Sequence, residues 1–150
     1  MNAALILRPR PASRLGFTLI ELMAVIAIAA VLTAVALPSF RQQVLQSRRA
    51  EAREQLLVAQ LAQERYRSQH PRYADRLDAL GLPEITRNGL YRLRVTQADA
   101  TRYVIDAQAQ GSQAADRSCR TLVLRLEGGQ IHSTALDDRG TEQASACWPQ

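Results

Sequence analysis

The chain contains no lysine; all 19 of its basic side chains are arginine, set among 14 acids. The arginines are spread along the sequence, a pattern read as compositional bias and solvated surface. Aromatic residues make up only 5%, which leaves little with which to stack on bases. The two histidines, His70 and His132, are isolated, and no serine or cysteine stands in a recognisable nucleophile setting. With no catalytic constellation, the chain is read as a non-enzyme that uses no cofactor. Cys119, Cys147, His70 and His132 match no zinc-finger spacing. Asp137, Asp138 and Glu142 surround Gly140 in a way that suits calcium, but a plain acidic turn is the better reading, so no metal is expected.

Cysteine is equally scarce. Cys119 and Cys147 are the whole complement, and an even count behind a membrane-targeting start points to one disulfide in an oxidising compartment. The bond would close a 28-residue loop, a constraint of roughly 3.5 kcal/mol in the chain-entropy estimate. The alternative is a pair of free thiols in a cytosolic domain.

What the sequence does have is an uneven distribution of apolar residues. Between Phe17 and Leu37 the only charge is Glu21. As a helix this run spans roughly 32 Å at about 1.5 Å per residue, close to the hydrocarbon thickness of a bilayer. The run is longer than the apolar core of a secretory signal, and no small-x-small cleavage pattern lies cleanly beyond it. Before it stand Arg8, Arg10 and Arg14 with no acid beside them. Losing residues 1–16 would take those arginines away and lower the formal charge from +5 to +2. Arg41, Arg48 and Arg49 follow the run, so the positive charges on its two sides nearly balance and do not fix its orientation.

At the front edge of the run lies Gly16-Phe17-Thr18-Leu19-Ile20-Glu21-Leu22. This stretch resembles the processing site of type IV prepilins and of the related secretion-system pseudopilins. The resemblance implies cleavage between Gly16 and Phe17 by a prepilin peptidase and N-methylation of Phe17. It divides the chain into a leader at 1–16, a membrane and filament-core helix at 17–38, and a globular head at 39–150. A carboxylate in a membrane helix normally has a partner or a function. Glu21 sits one turn from the new terminus, where the helix dipole and a free amine supply positive charge. The family mechanism implies that Glu21 of an incoming subunit meets the Phe17 amine of a neighbour. Pro38 either kinks or opens the helix, as a proline does at the corresponding place in pilins, or simply ends the membrane helix.

Beyond the run, residues 41–67 read as helix, with Leu45, Ala52, Leu56, Ala59, Ala62 and Tyr66 near helical spacing. Arg48, Arg49, Glu51, Arg53 and Glu54 are assigned to its solvated face. His70-Pro71 ends it. Residues 72–88 are a loop with a short helical piece at 75–80. Alternation then predicts strands at 90–96, 102–109, 120–126 and 130–135, with a Gly128-Gly129 turn joining the last pair.

The expected fold is the α+β pilin fold: a long N-terminal helix, a four-stranded antiparallel meander and a C-terminal region bounded by Cys119 and Cys147. The resemblance is closest to PilE-type minor pilins of type IVa pili. It implies a structural subunit that helps start the filament, and hence supports twitching motility, adhesion or DNA uptake. The partners it implies are other major and minor pilins, the prepilin peptidase, the inner-membrane assembly platform and, before assembly, the lipid bilayer. The subunit would wait in the inner membrane with its head in the periplasm and then pass to the cell-surface pilus. Two alternatives stay open. One is a type II secretion pseudopilin, against which the cysteine pair weighs. The other is a minor pilin acting as a DNA-uptake receptor, with Arg92, Arg94 and Arg102 as contacts, aided by Arg120 and Arg125. Against DNA stands the small net charge of 39–150, +3 from 16 arginines and 13 acids.

Overall fold

A computed structural model of the chain describes residues 17–148. The chain divides into two compact units, with the boundary between Pro38 and Ser39. Helix α1, Leu19–Arg67, belongs to both.

In the first unit, the helix presents Leu19, Ile20, Met23, Ile26, Val31 and Val35 to the outside, and none is covered by other parts of the chain. This segment is long and apolar enough to cross a membrane, with a mean hydropathy of 2.6. Its lone hydroxyl, Thr33, donates to the Ala29 carbonyl (2.6 Å), so that hydroxyl is satisfied within the helix. Pro38 lies inside α1, so the expectation that it ends the helix is not met. A proline removes one N–H from the ladder, and here the helix continues on the strongly helix-forming residues that follow, free of glycine and further proline.

In the second unit, α1 packs on one face of a four-stranded antiparallel sheet in the order β1-β2-β3-β4. The strands are β1 Tyr91–Ala98, β2 Tyr103–Ala109, β3 Thr121–Glu127 and β4 Gln130–Leu136. Gly128 and Gly129 both adopt positive φ (60° and 76°), the geometry a two-residue hairpin needs. Leu93, Ile105, Leu122 and Leu124 close the core against Leu56 and Ala59 of the helix. The β1–β2 ladder shifts register between Val95 and Gln97, which lets β1 run past its last alternating apolar residue.

Three local features depart from the sequence reading. The helical piece expected at 75–80 shrinks to a 3₁₀ turn at Asp78–Leu80, stopped by Gly81 in the left-handed region. A second 3₁₀ turn forms at Gly111–Ala115 and a short helix α2 at Ala144–Cys147. Both are too short to leave a periodic signal.

Tyr91 and Tyr103 are wholly buried. Burial, with Asp116 nearby, pushes the Tyr91 phenol up to about 12, and burial with Glu64 raises Tyr103 further. An unfolded tyrosine ionises near pH 10. The folded state therefore holds its phenol protons above that pH while the unfolded state releases them. The resulting stability is complete below pH 10 and is lost as pH climbs through 12. Titration followed by phenolate absorbance and circular dichroism should show Tyr91 ionising only together with loss of the fold.

Candidate functional site

Gly16 lies outside the described residues; Phe17 is exposed two residues before α1 begins at Leu19. Thr18 caps the start of the helix. Its Oγ1 accepts the Glu21 N–H (3.3 Å) and its carbonyl accepts the Leu22 N–H (3.2 Å). Thr18-Leu19-Ile20-Glu21 therefore has the spacing of a capping box, in which a hydroxyl and a carboxylate serve the free N–H groups of the first turn. Glu21 is exposed in that first turn, where the helix dipole favours an anion.

Within the second unit the flank of α1 turned away from the sheet carries Leu57 and Leu61, 51% and 66% exposed, with Val58 beside them. Isolated apolar side chains on a surface need no explanation, but two on successive turns of one helix make a strip that another helix can cover.

The opposite flank is where the sequence reading fails most clearly. Arg49, assigned to the solvated face, is buried to 4% exposure. Its guanidinium grips Asp116 with two bonds, Nε to Oδ2 at 2.7 Å and Nη2 to Oδ1 at 2.9 Å, and gives a third to the Ala146 carbonyl at 3.0 Å. Gln113 extends the network, donating to the Tyr91 hydroxyl (2.9 Å) and to the Leu45 carbonyl (3.0 Å). Arg53, also placed on the solvated face, reaches the Cys147 carbonyl at 3.2 Å. Helix spacing held the signal: 45, 49, 52, 56, 59 and 63 form one stripe at alternating steps of four and three. Gln63 is also buried on this stripe, exchanging two bonds with the backbone of Ala74.

The C-terminal segment closes over this network. Cys119 and Cys147 form a disulfide, with Cα atoms 5.7 Å apart. Trp148 donates its indole N–H to the Thr134 carbonyl (2.6 Å), and Gln143 donates to Ala135 (2.7 Å). The segment is thus tied to α1, to the loop before β3 and to the edge of β4.

The candidate DNA contacts lie on the sheet face turned away from α1, but not as one cluster. Arg92 pairs across from Gln108, while Arg102 precedes the other end of β2. Arg94 meets Asp106 at 3.2 Å and Arg102 meets Asp99 at 2.7 Å, so two of the three already face acids. Arg125 makes no ion pair among the described residues. Arg120 is turned instead to the Ala114 carbonyl. Asp137 serves its own turn: Oδ1 accepts the N–H groups of Arg139 and Thr141, both at 2.8 Å, which holds its carboxyl below the usual range. Among the described residues no group of acids, histidines or cysteines is placed to hold a metal.

Two family descriptions match the chain. Residues 38–123 match "Type IV minor pilin ComP, DNA uptake sequence receptor", and residues 12–37 match "Prokaryotic N-terminal methylation motif". A relative in Myxococcus xanthus (strain DK1622), described as "Type IV major pilin protein PilA", is 40% identical over 84 residues. That alignment takes in 55% of this chain and 37% of the relative, so the chain matches well under half of the relative's length.

Proposed function

The chain belongs to the type IV minor pilin ComP family, and from that membership we propose that it is a filament subunit processed between Gly16 and Phe17. In this reading residues 1–16 are the leader, 17–38 the membrane and filament-core helix and 39–150 the head. Before assembly the subunit sits in the inner membrane with its head in the periplasm. It then joins other pilins in the pilus through the assembly platform, in a structural role without catalysis.

One observation carries the proposal: an apolar helix whose side chains have no cover within the chain begins at a capped turn that contains a carboxylate. Such a surface is stable only in lipid or against other helices. The carboxylate needs a cation once water is excluded, and the Phe17 amine created by cleavage is the one the mechanism supplies. The strip at Leu57 and Leu61 offers further helix to cover, and Pro38 marks where the backbone can extend on assembly.

Glu21→Gln tests the reading. The variant should still be cleaved after Gly16, because the scissile bond is untouched. Its recovery in sheared filaments should fall by at least about tenfold, since the incoming subunit no longer neutralises a neighbour's amine. Normal incorporation of Glu21→Gln would sink the proposed pairing.

A second reading, that the head holds DNA, has the description of the matched family behind it and the pairing of Arg94 and Arg102 with acids against it. On this reading Arg92→Gln, Arg94→Gln and Arg102→Gln each weaken retention of double-stranded DNA and flatten its salt dependence by about one charge. Equal retention by all three variants would exclude these contacts.

A further inference from the structure

The outer face of the sheet carries two adjoining hollows of about 380 and 370 Å³. They share Thr96, Val104 and Arg125, so Arg125 stands between two halves of one trough. Guanidinium donors come from Arg94, Arg102 and Arg125, and carboxylate acceptors from Asp106, Glu127 and Glu142. Thr96, Thr121 and Thr134 add hydroxyls between apolar patches at Val104, Val123 and Leu136. Asp106 is only 7% exposed; its Oδ2 takes Arg94, and its buried Oδ1 has no donor among the described residues.

We propose that this trough binds a neutral polyhydroxylated ligand, a stretch of glycan chain. Three guanidinium groups against three carboxylates leave no net charge to draw a polyanion. A phosphate or sulfate only accepts, so it would satisfy the arginines while facing three like-charged acids. An ammonium group only donates and meets the reverse mismatch. A sugar hydroxyl donates and accepts at once, so neighbouring hydroxyls bridge a carboxylate and a guanidinium and serve the threonines between them. The apolar patches receive the C–H faces of the rings. Arg125, which makes no ion pair among the described residues, is the residue with the most bonding capacity to offer.

The test uses the full-length mature protein, recovered in a detergent without a sugar headgroup. It is applied to an array of neutral, sialylated and sulfated oligosaccharides, with a double-stranded DNA fragment as a polyanion. Neutral glycans should be retained. Arg125→Gln should weaken retention about tenfold or more, and Thr134→Val several-fold, through loss of a charged and a neutral hydrogen bond. Arg76→Gln, whose side chain lies far out in solvent and lines neither hollow, should bind as the parent does. The proposal is overturned by no retention of any neutral glycan, by a signal confined to sulfated glycans and DNA, or by neutral binding that Arg125→Gln and Thr134→Val leave unchanged. None of these outcomes bears on processing at Gly16 or on filament assembly, which stand or fall separately.

Discussion

Replacing Asp116 with alanine should destabilise the head by about 3–5 kcal/mol. The Arg49 guanidinium is buried, and two of its three bonds go to that one carboxylate. Without Asp116 a positive charge is left in the core with a single carbonyl, Ala146, as acceptor. The cost is that of an uncompensated buried charge, which is larger than the net value of the pair itself. The two can be separated. Arg49→Met combined with Asp116→Leu removes both charges and should recover at least half of the loss, because apolar groups of similar volume fill the same space. Recovery will be incomplete, since Ala146 loses its donor and Gln113 loses its 3.3 Å bond to Asp116. Thermal unfolding measures this directly, with a lowering of the midpoint by on the order of 15 °C or more for the single variant. If Asp116→Ala unfolds within a degree or two of the parent, the buried pair does not hold α1 to the loop before β3.

Removing the disulfide should cost a similar amount. Cys119→Ser with Cys147→Ser frees a loop of sequence separation 28, and the chain-entropy estimate gives roughly 3.5 kcal/mol. Here the structure adds something that loop length does not contain. Arg49 and Arg53 both donate to the backbone of the segment that Cys147 anchors, and Trp148 covers the β4 edge from that segment. Release of the segment should therefore also loosen the Arg49 network, so the loss should equal or exceed the entropic figure. Urea unfolding of the parent and of the double serine variant under oxidising conditions compares them. Adding reductant to the parent should reproduce the variant's midpoint. A variant as stable as the oxidised parent would mean that the segment is held by its hydrogen bonds alone.

The parts of the fold that announce themselves in the sequence are those with a period. Tyr91 and Leu93, Tyr103 and Ile105, and Leu122 and Leu124 recur at every second position on one face of their strands, and Gly128-Gly129 marks a hairpin that side chains with Cβ atoms would strain, so the meander was readable strand by strand. The apolar run from Phe17 and the Gly16–Glu21 motif were readable for the same reason: they concentrate a signal in a few consecutive residues. Arg49 was missed because its type argues for solvent and its partner, Asp116, is 67 positions away. Only the folded chain brings them together. The stripe spacing that places Arg49 inward was present, but a charged residue on such a stripe reads as exposed until a counter-charge is found.

The arginines of the sheet show the opposite limit. Alternation put Arg92 and Arg94 on one face of β1 as expected. Whether they form a basic patch depends on what stands beside them, and Asp106 and Asp99 came to two of the three candidate contacts through strand register and a tight turn. Pro38 shows a third limit. A proline is a local stop signal, but the residues on both sides favour helix strongly enough for α1 to pass through it.

Intact and N-terminal peptide mass spectrometry of the protein from its native membrane, without reduction, tests most directly whether the chain is processed into a filament subunit. The expected species begins at N-methylated Phe17 and is lighter by the two hydrogens of the Cys119–Cys147 bond. A chain still beginning at Met1, in cells whose prepilin peptidase is active, would contradict that processing and leave residues 17–37 as a plain membrane anchor.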